Sequence, residues 1–280
     1  MTPARSVAMA LGAVVLGWLQ AAWGATADVT ADPGRIEAEL FAAIGAQGQD
    51  YQRFRDGLVG RGAATRPVLA GIAKNGKSWQ ERVMAGIVLE RLTQPERIQA
   101  VIDWWAQAGV FRATSENLAK LGKGLAEQCR DTPMLLIEKI WKGNELRNRA
   151  VMEPHDAAWA ADALGWLADP RGVEPLISVL EGQYTETPQL LRVFTAARAL
   201  GRLADSRALS ALCKAAILYR REPAGSQAME ALRSCADAKS AHVVETHALW
   251  LADSVVKAEL LQIAKEAAGK LPRRQVVPRR

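Results

Sequence analysis

The chain has 280 residues, 49% of them hydrophobic and 24% charged, which excludes a disordered polymer and leaves room for one large domain or a repeat array with a continuous core. The net charge is +6, but Arg5 and the five basic residues of the C-terminal stretch "KLPRRQVVPRR" account for all of it, so the rest carries 30 basic and 30 acidic residues. A nucleic-acid interface needs a basic face on the folded part, so nucleic acid is excluded as a partner.

Residues 1–24 read as a cleavable bacterial signal peptide. Arg5 precedes an apolar run from Val7 to Trp23, and Ala22 and Gly24 supply the small residues of a cleavage site before Ala25. The competing reading is an uncleaved anchor, for which about 17 residues is the short limit of a membrane span. No cysteine follows the run, so no lipid anchor is indicated. The expected location is periplasmic or secreted.

Residues 25–56 are expected to form an N-terminal helical segment, and residues 57–270 a helical repeat array. Residues 271–280 form a basic flexible tail, either a solvated end or a weak contact to anionic surfaces. Within the array, Ser78 with Glu81 three residues on has the pattern of a capping box. Thr132-Pro133 and Thr187-Pro188 read as further helix starts, with helices expected over about 115–129 and 133–142. Asp253 and Ser254 open a last helix expected to carry Val255, Val256, Leu260, Ile263 and Ala267 on one side, closing the array. No strand alternation stands out.

The centre of the chain repeats itself. "ADALGWLADPRG" from Ala161 returns as "ARALGRLADSRA" from Ala197 and more loosely as "MEALRSCADAKS" from Met229. Ala163, Leu164, Leu167 and Ala168 lie on one helical face, and Ala199, Leu200, Leu203 and Ala204 repeat it. An aspartate follows each face, at Asp169, Asp205 and Asp237, as the N-cap of the next helix, and Pro170 occupies a first helical turn. Leu164, Leu200 and Leu232 are 36 and 32 residues apart. Such periods indicate an α-solenoid of helical hairpins, roughly five or six here, in which each unit covers its neighbour's apolar flank. "VLERLTQPERIQAVID", from Val88, follows the same pattern more faintly, with Pro95 in the place of Pro170.

The stretch "ALGWLADPRGVEPLISVL" resembles a HEAT repeat of the subclass found in phycobilisome lyases. The resemblance is closest over residues 157–218, fades towards 250 and is faint from about 60 to 110. It departs at Arg233, where the other two units have Gly165 and Gly201. It implies an all-α, right-handed solenoid of HEAT-like hairpins. It does not imply an activity, because the family holds scaffolds, adaptors and a few enzymes alike.

Little points to catalysis. His242 and Glu245 are i, i+3 and His247 lies off that face, whereas a helical metal pair uses i, i+4. Related iron-binding hydroxylases use His-Glu dipeptides; this chain has none, and His155-Asp156 is the nearest approach. No phosphate loop, dinucleotide loop or serine elbow is present. Cys129, Cys213 and Cys235 make an odd number for an exported protein, so at least one is unpaired. A Cys213–Cys235 disulfide and two buried thiols are both open. No catalytic residue, metal site or cofactor is assigned.

A binding surface is easier to support. Trp159 and Trp166 are i, i+7, on a stripe with His155 and Asp162 that points about 120° from the Ala/Leu face at about 100° per residue. The equivalent positions one unit later are Leu191, Thr195, Arg198 and Arg202, and Ser234 replaces Trp166 in the unit after that. A stripe that turns polar reads as solvent-facing, and Trp and Arg dominate interface hot spots. Trp159, Trp166, Arg198 and Arg202 are therefore the candidate partner-binding ridge; the competing reading packs Trp166 on the preceding repeat. A rival surface carries Arg171, Glu174, Ser178, Arg207, Ser210 and Lys214, where the arginines have a structural look. The resulting expectation is an exported, non-enzymatic scaffold or adaptor for a protein or extended peptide of the cell envelope. The alternative is a HEAT-like enzyme or a maturation factor of lyase type.

Overall fold

The computed structural model describes residues 32–108, 115–142, 156–182 and 187–269, with side chains left out over 108–119 and 187–189. The signal-peptide region, His155 and the basic tail lie outside the described residues. Those described form fourteen α-helices and three short 3₁₀ turns, with no strand among them.

The first four helices are α1 (Pro33–Gly45), α2 (Gly48–Gly60), α3 (Arg66–Asn75) and α4 (Trp79–Thr93). Asp32 caps α1 by accepting from the Gly34 amide at 3.1 Å. The capping box of α4 is complete: the Glu81 amide donates to Ser78 Oγ at 3.1 Å and the Ser78 amide to Glu81 Oε1 at 3.3 Å. Ile36 and Leu40 of α1, Tyr51 and Leu58 of α2 and Leu69 of α3 share one core with Met84 and Val88 of α4. Val83 and Ile87 of α4 face the other way, into the main core. A helix apolar on both sides has to be buried on both sides. The two cores therefore meet at α4, and the expected boundary at 56/57 falls inside α2.

The rest is α5 (Pro95–Ala108), α6 (Ser115–Gln128), α7 (Pro133–Lys142), α8 (Asp156–Leu167), α9 (Val173–Glu181), α10 (Thr187–Leu203), α11 (Leu209–Leu218), α12 (Pro223–Cys235), α13 (Ala241–Leu249) and α14 (Ser254–Ala268). They stack in two rows. One runs α6, α8, α10, α12, α14; the other runs α4, α7, α9, α11, α13. From α7 onward, each second-row helix also nests against the next first-row helix, α7 on α8, α9 on α10, α11 on α12 and α13 on α14. Four such pairs thus stand in file, with α14 closing the stack. α4, which the sequence pattern aligned with a first helix, stacks instead on α7 in the second row.

The repeated turn is built the same way twice. Ala168 and Ala204 take left-handed backbone, φ 54° and 52°, a conformation L-residues adopt at a cost of roughly 1–2 kcal/mol. Asp169 then accepts from the Arg171 amide and Asp205 from the Arg207 amide, both at 2.9 Å, and each arginine side chain folds back onto its own aspartate. The third turn departs. Ala236 has φ −77°, and Asp237 accepts from the Lys239 and Ser240 amides and from the Ser240 hydroxyl. In α14 Val256, Leu260, Ile263 and Ala267 face the core as expected, but Val255 does not: it stands in solvent.

Candidate functional site

α8 lies between α6 and α10, with α7 against it from the second row. This placement overturns part of the expected ridge. Trp159 is only 2% exposed and belongs to the core. Asp162, one turn on, is fully buried. Both face neighbouring helices because α8 has neighbours on three sides, so the stripe that looked solvent-facing is largely an inter-helix seam. Of its described members only the last, Trp166, reaches solvent, at 46% exposure.

A buried carboxylate needs charge partners, and Asp162 has two. Arg198 Nε donates to Asp162 Oδ1 at 2.8 Å, and Arg202 Nη1 donates to the same oxygen at 2.6 Å. Both arginines come from α10, one turn apart, 36 and 40 residues away in sequence. Arg202 also donates to the Asp162 carbonyl at 3.3 Å. The other carboxylate oxygen, Oδ2, is buried without a hydrogen bond and lies towards Gly122 of α6, where a Cβ would come within 2.1 Å of it. Gly122 leaves the space that the carboxylate fills.

The arginines carry this anchoring outward. The Arg202 guanidinium sits 4.1 Å from the Trp166 ring centroid and that of Arg198 sits 5.3 Å from Phe194, the geometry of cation–π stacking. Three of the four predicted residues, Trp166, Arg198 and Arg202, are therefore brought together around Asp162. Trp166 is the exposed member, and Asp162 holds its platform through Arg202.

Two further buried charges were not singled out in the sequence. Glu138 of α7 accepts from the Tyr51 hydroxyl at 2.9 Å, from Arg55 of α2, and from Arg91 of α4 at 2.7 Å. Burial pushes its carboxyl up, but Arg91 and Arg55 outweigh that and hold it below the usual carboxylate range. Burial and the Glu138 charge push the Tyr51 phenol well above its ordinary value. Glu90 of α4 caps α7 in place of the expected Thr132: it accepts from the Met134 amide at 3.0 Å and the Leu135 amide at 2.9 Å. Burial raises Glu90 to about 7 against the lowering effect of those two bonds. Both residues clamp the N-terminal bundle to the repeat stack. Their signal in the sequence was a lone acid inside an apolar run, "MLLIEKIW" and "GIVLERL"; Asp162 in "AAWAADALGWL" is a third case.

The cysteine thiols are withdrawn from solvent. All three cysteines are buried. Burial pushes Cys129 and Cys213 up to about 12, with the Glu90 charge adding to the effect at Cys129. The Cys235 thiol donates to the Leu200 carbonyl at 3.3 Å. His247 Nε2 meets Ser210 Oγ at 3.1 Å, and burial with the nearby Lys214 charge holds the imidazole below its usual value. His242 Nδ1 lies 2.9 Å from the Lys239 carbonyl. Among the described residues no three His, Cys, Asp or Glu side chains converge as metal ligands, and no helix is long and apolar enough to cross a membrane. On the rival surface Arg171 and Arg207 are engaged by their own turn aspartates, and Arg207 also reaches Glu174 at 3.2 Å.

Residues 156–182 and 194–217 match the family model of the PBS lyase HEAT-like repeat. The chain carries HEAT-like repeats. The first matched span covers α8, its aspartate turn and α9; the second covers most of α10, its turn and most of α11. No curated protein matches the chain. HEAT-like repeats suggest a protein-interaction scaffold, since stacked units expose a long continuous surface.

Proposed function

We propose that the chain is an exported, non-enzymatic scaffold or adaptor whose right-handed HEAT-like solenoid binds a protein or extended peptide in the bacterial cell envelope. The surface would centre on Trp166, with Arg198 and Arg202 holding its platform. The observation that carries this reading is the exposed indole of Trp166, stacked by Arg202, which is itself fixed to a fully buried carboxylate. A large aromatic with little freedom left to lose is what an interface anchor requires. The basic and apolar pattern of residues 1–24 supports export. The raised thiols of Cys129 and Cys213 speak against a cysteine nucleophile, because the thiolate is the reactive form.

Affinity capture from an envelope extract, with the chain and with Trp166→Ala, tests the reading. The expected result is a partner held in stoichiometric amount and reduced about tenfold or more by the substitution, the loss typical of a hot-spot side chain. Equal capture by Trp166→Ala, or stoichiometric iron or zinc in the purified protein, overturns it.

A further inference from the structure

The two arginines that share Asp162 differ in where their remaining donors lie. Arg198 gives Nε to Asp162 Oδ1, and its Nη2, 2.8 Å from the same oxygen, is buried. Arg202 reaches Asp162 through Nη1 alone. Its Nε and Nη2 make no hydrogen bond among the described residues and neither is buried, on a side chain 25% exposed. Nε and Nη2 form one edge of the guanidinium, a planar fork that receives both oxygens of a carboxylate. That edge lies beside an open indole, because the same guanidinium sits 4.1 Å from the Trp166 ring centroid.

The chain's own neighbouring carboxylates leave this fork unclaimed. Two guanidinium charges against the one carboxylate of Asp162 leave a net charge of +1. Asp169 and Asp205, at the turns after α8 and α10, are each paired with the arginine of their own turn. Glu230 stands one unit on from Arg198, but it accepts from Gln227 and pairs with neither arginine. Stacking on the ring face and donating in the guanidinium plane use different parts of the group, so the two do not compete. With three quarters of the Arg202 side chain covered, a protruding side chain reaches the fork where a flat charged surface does not.

We propose that this site takes an acidic peptide segment, one in which an aspartate or glutamate is flanked by large apolar residues. The carboxylate occupies the Nε/Nη2 fork of Arg202 and the apolar neighbour covers Trp166. Asp162, by holding Nη1, turns the other edge of the guanidinium outward. The inference rests on the scaffold reading above and deepens it by naming what the partner presents. Complementarity of this kind fixes the register of the bound segment and turns basic segments away.

The test follows the indole N–H signal of Trp166 in the ¹⁵N-labelled full chain, identified by its loss in Trp166→Phe. The chain is titrated with the peptide Ac-Gly-Leu-Glu-Leu-Glu-Gly-NH₂ and with its glutamine counterpart. The glutamate peptide is expected to shift the signal saturably, at a concentration at least about tenfold lower, the advantage of a charge-assisted bidentate pair over neutral bonds. Arg202→Lys keeps the charge and a donor for Asp162 but has no fork, and is expected to reduce the preference to about threefold, the worth of an ordinary exposed ion pair. Comparing the two peptides on the unaltered chain decides the proposal even where Arg202→Lys fails to fold. Equal shifts, no shift with either peptide, or the full preference in a folded Arg202→Lys overturns it. So does a shift that only phosphatidylglycerol vesicles produce. The envelope capture separates the two readings. Trp166-dependent capture that excess glutamate peptide does not displace keeps the scaffold and overturns the acidic partner. A selective peptide shift with no captured partner keeps this site and overturns the scaffold.

Discussion

Gly165 of α8 faces Ala199 of α10 so closely that a Cβ on the glycine would stand 2.7 Å from the Ala199 Cα. One unit on, a Cβ on Gly201 would stand 3.1 Å from the Ala231 Cα. The repeated glycine is thus a spacing device that sets how near successive first-row helices approach. The third unit has Arg233 at this position, and there the side chain points outward to Glu259 of α14 at 2.8 Å. The closing helix stands off enough to allow it.

Gly165→Ala is expected to destabilise the stack, because the atom it meets is backbone and cannot swing aside. Overpacking costs roughly 1–3 kcal/mol, offset by up to about 1 kcal/mol of helix propensity. Gly201→Ala, with a few tenths of an ångström more room, is expected to cost less. Urea unfolding of the two variants checks the order; Gly165→Ala proving as stable as the wild type would contradict the spacing argument.

Asp162→Ala leaves Arg198 and Arg202 together without their counter-ion. Breaking a buried pair by removing one partner costs about 3–5 kcal/mol, and the two side chains, 20% and 25% exposed, place the expectation at the lower end. The variant should also release Arg202 from Trp166, so acrylamide quenching of tryptophan fluorescence should rise. Unchanged quenching and an unchanged unfolding midpoint would mean that the carboxylate holds nothing in place.

The stack was legible in the sequence because its signals are local. The aspartate turns at 169 and 205, the Ala/Leu face and the capping box at Ser78 each depend on residues a few positions apart. The site was legible only in part. Periodicity placed Trp159 and Trp166 on one stripe, but which side of α8 meets α6 depends on contacts from Gly122 to Asp162, far apart in the chain. A polar residue on a stripe reads as solvent-facing until its partner is known, and the partners of Asp162 lie on α10. Glu90 and Glu138 were missed for the same reason: their bonds run to α7, and to α2 and α4.

The cysteines make a separate prediction. With Cys129 and Cys213 pushed up to about 12, neither presents a thiolate near neutral pH, and Cys235 is bonded to a carbonyl inside the core. Ellman's reagent at pH 8 is expected to titrate no thiol in the folded chain and three after denaturation in guanidinium. A single thiol after denaturation would reveal a Cys213–Cys235 disulfide, and rapid reaction of the folded chain would reveal an accessible nucleophile.

Glu90 gives the junction between the two cores a pH dependence. Its carboxyl titrates at about 7 in the folded chain against 4.5 as the ordinary value. Between those values the folded state holds more protons than the unfolded state, so stability declines as pH rises. The contribution is complete below about 4.5 and gone above about 7, and the shift corresponds to about 3 kcal/mol. Glu138 runs the opposite way: its carboxyl is held below the ordinary value, so its contribution is present above about 4.5 and lost as pH falls. Glu90→Gln retains a carbonyl oxygen for one of the two α7 amides and removes the titration. Urea midpoints of the wild type and Glu90→Gln, compared at pH 5 and pH 8, isolate the Glu90 effect from the rest. The variant should gain on the wild type by about 2.5 kcal/mol between the two pH values; a gap that stays constant would show that Glu90 is ionised in the folded protein throughout, held by the amides of Met134 and Leu135.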